Sequence, residues 1–156
     1  MTINQKVSAM TAVLMGVLLA PLPVWSQPCK LVEMKVTGQT ARAKNVSIDL
    51  GEASPPGPSS PVVYQGPPRI RVGSGATCTA SSDVSLIEGK QWLARDKVYI
   101  STFSGSENVV FAVDARTCRT VWKSPVFEGE SARYRNGALI MDKKRVRLDK
   151  ACLPVR

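Results

Sequence analysis

The stretch from Lys97 to Trp122, KVYISTFSGSENVVFAVDARTCRTVW, constrains the fold more than any other part of this 156-residue chain. Val98, Ile100 and Thr102 alternate with Tyr99, Ser101 and Phe103, the period of two expected when one face of a strand is buried. A short loop follows, Ser104-Gly105-Ser106-Glu107-Asn108. The run Val109-Val110-Phe111-Ala112-Val113 is β-branched and apolar enough to be the returning strand. Asp114-Ala115-Arg116-Thr117 then turns the chain into a third run, Cys118 to Trp122. The pattern predicts an antiparallel meander whose first loop is exposed at one end.

Strand patterns recur on either side. Lys30 to Val36 and Val46 to Leu50 are expected strands, separated by a polar stretch containing Gly38. Ser54 to Pro61, SPPGPSSP, cannot continue a helix or a central strand and is expected to be an extended surface loop. Val62 to Tyr64 and Arg69 to Val72 are expected short edge strands around Gly66-Pro67-Pro68. Asn136-Gly137 is a strong turn signal, Ala138 to Met141 a strand, and Asp142-Lys143-Lys144 the return into Arg145 to Leu148. Helical periodicity is not sustained beyond the first 26 residues. The expected fold is mostly β, a single small domain of antiparallel meanders with about five to eight short strands.

The first 26 residues carry one charge, Lys6, then a largely apolar stretch from Val7 to Ala20 and the sequence Pro21 to Ser26. That order predicts a cleavable export signal cut after Ser26, with residues 27–156 as the mature β domain. An uncleaved membrane anchor fits less well, because the apolar run is short and prolines interrupt its end. A lipid anchor at Cys29 fits less well still, since Ser26-Gln27-Pro28 lacks the Leu and small-residue run of a lipoprotein signal. Export in turn makes Cys29, Cys78, Cys118 and Cys152 expected disulfide partners. Three pairings are possible. Cys29 with Cys78 and Cys118 with Cys152 is preferred, because each bridge would then close one half of the chain. Each bridge is worth about 2–4 kcal/mol.

The composition contains no histidine and no Cys-x-x-Cys. Ser-His and Cys-His nucleophile pairs, His-ligated metals and dithiol redox motifs are thereby excluded for this chain alone. No phosphate loop or dinucleotide fingerprint is present. Glu88, Asp96, Glu107 and Asp114 are the carboxylates that could meet as acid and base, but their spacing does not favour it. No catalytic residue, no metal and no cofactor is expected. The net charge of +9 falls to +8 without Lys6, with the excess toward Lys143, Lys144, Arg145, Arg147 and Lys150. Export disfavours nucleic acid as the partner of that basic run; an acidic protein, an anionic wall polymer or a membrane face remains.

The order Cys78, strand Val98 to Thr102, Phe103-Ser104-Gly105-Ser106, a second strand, and Asp114-Ala115-Arg116-Thr117-Cys118-Arg119 resembles the periplasmic immunity proteins of type VI secretion. The resemblance covers residues 76 to 122 best. Proteins of that family protect a bacterium from a papain-like (NlpC/P60-type) amidase effector that cuts peptidoglycan stem peptides at a Cys-His site. The resemblance implies a periplasmic protein whose Ser-containing loop enters the amidase groove. Here that loop and its flanks are Phe103, Ser104, Gly105, Ser106, Glu107 and Asn108, with Ser106 matching the serine that meets the catalytic pair. Ala112 stands where a second polar contact from the next strand would come. Val110 to Thr117 with Val121-Trp122 also resembles one blade of a quinoprotein-type β-propeller, though the sequence shows one such repeat and a propeller needs several. The alternative function is an envelope or cell-wall binding β module that uses the basic C-terminal strands.

Overall fold

The computed structural model describes residues 29–55 and 62–155. The expected export signal and most of the Pro-rich stretch, residues 56–61, lie outside the described residues. All sixteen regular elements among those described are β-strands.

A six-stranded central sheet is built from β1 (Val32–Glu33), β9 (Trp92–Ala94), β10 (Lys97–Ser104), β11 (Glu107–Asp114), β12 (Thr120–Lys123) and β13 (Phe127–Glu128). The first five pair in that order, and β13 joins the distal half of β11. A five-stranded sheet has the order β2 (Lys35–Thr37), β3 (Thr40–Ala43), β4 (Val46–Asp49), β7 (Arg69–Val72), β8 (Thr77–Thr79). β14 (Arg133–Arg135), β15 (Ala138–Met141) and β16 (Lys144–Arg147) form a three-stranded sheet, and β5 (Glu52–Ala53) with β6 (Tyr64–Gln65) a ribbon. Every pairing is antiparallel. The expected meanders are therefore present. None of the sheets closes into a barrel, so the likeness to propeller blades is a loose one.

The register of β10 on β11 explains the layering. Val98↔Val113, Ile100↔Phe111 and Thr102↔Val109 point to one side, where most of them join Ala41, Val46, Ile48 and Ile70 of the five-stranded sheet in one apolar cluster. Tyr99↔Ala112 and Ser101↔Val110 point to the other side, toward Leu139, Met141 and Tyr134 of the three-stranded sheet. The central sheet thus lies between two others, and both faces of β10 and β11 are buried along most of their length. This corrects the expectation of a single buried face. Period-two alternation in β10 separates two dry environments rather than core from water. Ser101 and Thr102 are accordingly buried polar residues, the latter donating from Oγ1 to the Val109 carbonyl at 3.3 Å.

The disulfides are Cys29–Cys152 and Cys78–Cys118, which overturns the pairing preferred from the sequence. Each expected bridge would have closed one half of the chain, but the halves are not separate bodies. Cys78 lies on β8 of the five-stranded sheet and Cys118 at the turn after β11, so that bridge joins two layers. Cys29 and Cys152 belong to the cluster under the three-stranded sheet, where they join the first of the described residues to one near their end. Tyrosines hold this corner: Tyr99 Oη donates to the Cys152 carbonyl and Tyr134 Oη to the Cys29 carbonyl, the latter at 2.8 Å. Burial, with Asp149 nearby, pushes the Tyr99 hydroxyl far above the usual range of a tyrosine.

Other strands also differ from expectation. The run Lys30 to Val36 divides between two sheets at Met34, whose N–H donates to the Gln91 carbonyl at 2.9 Å. Arg69–Val72 is an internal strand, not an edge, between β4 and β8. The polar stretch containing Gly38 is the β2–β3 hairpin, and sixteen strands replace the expected five to eight.

Candidate functional site

The predicted loop is shorter than the sequence suggested. Ser104 pairs with Glu107 and Phe103 with Asn108, which leaves only Gly105 and Ser106 in the turn. Gly105 takes a positive φ of +64°, while Ser106 does not. Glycine at the first of two central positions is the requirement of a type II′ hairpin, whose twist matches that of the strands. A Cβ built on Gly105 meets no atom within 4 Å, so the turn points into open space.

The hairpin is anchored almost to its end. On the β11 side, β13 pairs through Asn108↔Phe127 and Glu107↔Glu128. On the β10 side, segment 86–88 supplies the neighbour: the Phe103 N–H donates to the Leu86 carbonyl at 3.1 Å and the Glu88 N–H to the Ser101 carbonyl at 3.1 Å. Ile87 bridges Thr102 to Tyr64 and so ties the β5–β6 ribbon to the same edge. Ser104, Gly105 and Ser106 emerge beyond this frame and are exposed, as is Glu107 at its last rung.

Beside the turn lies an open groove of about 350 Å³ lined by Val63, Glu88, Phe103, Gly105, Ser106, Asn108 and Gly129. Of the six residues expected at the site, Phe103 and Asn108 face this groove as a cross-strand pair and do not belong to the turn. Asn108 is only 4% exposed; its Nδ2 donates to the Gly129 carbonyl at 3.0 Å, and its Oδ1 has no partner among the described residues. Desolvation by partial burial raises the pKa of the Glu88 carboxyl above its ordinary value. Val63, Glu88 and Gly129 come to the groove from segments distant in sequence. No local pattern announces them, because their positions depend on the pairing of 86–88 and β13 with the hairpin. Ala112 is fully buried and faces the three-stranded sheet, so it cannot contact a partner.

The carboxylates weighed as an acid–base group do not assemble. Asp96 and Asp114 sit at one end of the β10–β11 hairpin; Glu107 is at the other, about 24 Å away at the usual strand rise, and Glu88 lies beside Ser101, about 14 Å along the strand. Asp96 is held below the usual carboxylate range chiefly by the hydrogen bond from Lys97 Nζ, 2.7 Å away. Desolvation acts to raise Asp114, but the Thr117 and Arg116 N–H groups and the Thr117 hydroxyl, all within 3.0 Å of Oδ1, lower it overall. Both acids serve turns. Among the described residues no group of three or more Cys, Asp and Glu could hold a metal ion, and no helix is long and apolar enough to cross a membrane.

The basic C-terminal strands present Arg133, Ile140 and Arg145 in one transverse row and Arg135, Ala138 and Arg147 in the next, with all four arginines exposed. Two of these cations have partners: Arg133 pairs with Glu130 at 3.2 Å, and Arg145 donates to the Asn136 carbonyl at 2.9 Å. Compared with known protein families, with curated proteins and with solved structures, the chain matches none.

Proposed function

We propose that this chain is an immunity protein that binds a type VI-secreted peptidoglycan amidase in the periplasm and blocks its Cys-His site with the Gly105–Ser106 turn. The observation that supports this most is the build of the hairpin. Two eight-residue strands, buried on both faces, carry a two-residue glycine–serine turn into open space. A rigid, narrow, protruding element loses little conformational entropy on entering a groove. Ser106 brings a small hydroxyl that can donate to or accept from a cysteine–histidine pair while offering no acyl group to attack. The role requires binding alone, so this chain supplies no catalytic group. Two disulfides fit an oxidising compartment, which agrees with a periplasmic site of action.

The groove refines the expected contact set. Phe103 contributes a half-buried ring at the base of the turn, and Glu88 a carboxylate at its side. Glu107 and Glu128 stand opposite each other at the same end, so the emerging tip is acidic although the chain as a whole is basic. An amidase groove with a cationic rim complements it.

The test is peptidoglycan digestion by an amidase encoded alongside this chain, with wild type and Ser106→Arg compared at equal molar ratio. Wild type is expected to inhibit, and Ser106→Arg to weaken inhibition by about thirtyfold or more, as for a residue at the centre of an interface. Thermal unfolding of Ser106→Arg should match wild type, since the side chain is exposed. Equal inhibition by both proteins would remove the turn from the interface. No inhibition by either would favour envelope binding through the C-terminal strands.

A further inference from the structure

The outward face of the five-stranded sheet carries a second arrangement, independent of the hairpin. Strand register places Lys35, Arg42, Ser47, Arg71 and Thr77 in one transverse row across β2, β3, β4, β7 and β8. The alternate positions Ala41, Ala43, Val46, Ile48 and Ile70 are buried, so the row faces solvent. Arg42 and Arg71 flank Ser47 on either side, each about 5 Å away at the backbone. Both arginines therefore stand on the same face as the Ser47 hydroxyl, one strand away on either side. The next row contains Asp49 and Arg69 among three threonines. Residues of both rows line one shallow depression of about 200 Å³.

Lys35 and Arg42 are directly opposite, where like charges repel, and none of the ion pairs found among the described residues involves any cation of this row. An anion held between Arg42 and Arg71 would neutralise this row of cations and accept bidentate hydrogen bonds from the guanidinium groups. The five-strand row extends about 19 Å, more than a single small anion can use and suited to a linear polymer. Neither row holds an aromatic side chain to stack bases or an apolar one to enter a bilayer. The hydroxyls of Ser47 and the threonines, together with the Asp49 carboxylate, offer both donors and acceptors. They match a chain that bears hydroxyl groups as well as acid groups. We infer that this sheet face is a binding site for a linear acidic glycan, with Arg42 and Arg71 gripping a carboxylate, sulfate or phosphate over Ser47.

The experiment measures binding of the mature protein to polygalacturonate, dextran sulfate, neutral dextran and duplex DNA by titration calorimetry at fixed salt. The variants are Arg42→Ser/Arg71→Ser and, on the opposite face, Arg145→Ser/Arg147→Ser, which removes the same charge. The first double variant is expected to lose about tenfold or more in affinity for the acidic glycans, and the second to stay within about twofold of wild type. The two acidic polymers distinguish carboxylate from sulfate recognition, and tighter binding of either supports the site. Equal loss in both double variants would reduce the effect to net charge and overturn the proposal. So would tighter binding of duplex DNA, equal binding of neutral dextran, or no binding to either acidic glycan. If the first double variant does not fold, Ser47→Asp puts a negative charge between the two arginines and carries the same expectation. Amidase inhibition is scored separately, so failure here leaves the hairpin reading standing.

Discussion

Removing the Cys29–Cys152 bridge by Cys29→Ala with Cys152→Ala is expected to cost this fold a large part of its stability. The entropy that a cross-link withdraws from the unfolded chain grows with the logarithm of the loop it closes. The separation of 123 residues therefore corresponds to about 5 kcal/mol, against about 4 kcal/mol for the 40-residue separation of Cys78–Cys118. Single domains are stable by only about 5–15 kcal/mol, so either loss is severe. The first loss also opens the corner where Tyr99 and Tyr134 bind the carbonyls of the two cysteines, so the packing beneath the three-stranded sheet should loosen with it. Equilibrium urea unfolding followed by tryptophan fluorescence is a suitable assay, because Trp92 is only 4% exposed in that cluster. The midpoint should fall by about 2 M or more, given the urea dependence usual for small domains. A fall below about 0.5 M would refute the reasoning. A non-reducing peptide map joining Cys29 to Cys78 would refute it as well.

Tyr99→Phe should destabilise by about 1–3 kcal/mol in the same assay, because it leaves the buried Cys152 carbonyl without its donor; an unchanged midpoint would show that another donor replaces it. For pH, Asp96 and Asp114 have folded pKa values below their unfolded ones, so their contribution is present above the unfolded value of 3.8 and is lost as pH falls through the folded values. Melting temperature should decline across that acid window, and Asp114→Asn should flatten the decline. Glu88 has the opposite sign: its raised pKa favours the folded state below 4.5, an advantage lost as pH rises through the folded value, so Glu88→Gln should remove that slope.

The β10–β11 hairpin was legible in the sequence because its signals are local. Alternation along Val98 to Phe103 and a glycine at the turn specify two strands and their register without reference to anything else. Asn136-Gly137 was legible for the same reason, and both residues do adopt positive φ there. The strands that escaped detection are all short, whether in the central sheet, as Trp92–Ala94 is, or in the outer layers. Thr40–Ala43 buries only two alanines, and Arg133–Arg135 presents one tyrosine between arginines, so neither carries a strong apolar period. Glu88 and Gly129 were invisible as neighbours of Ser106 because no pattern within either segment says which strand edge it will meet.

By itself the sequence determined that this chain would be built of β-strands, where its clearest turns fall, that four cysteines were available for bridging, and which histidine-dependent chemistries it lacks. These follow from backbone sterics, short-range periodicity and composition, which act within a few residues. Long-range assembly settled that the central sheet is covered on both faces, that the bridges run Cys29–Cys152 and Cys78–Cys118, and that Lys35, Arg42 and Arg71 share a row. Those outcomes depend on which sheets stack and in what register. They are set by burying apolar area from segments distant in sequence, and no single segment contains that information.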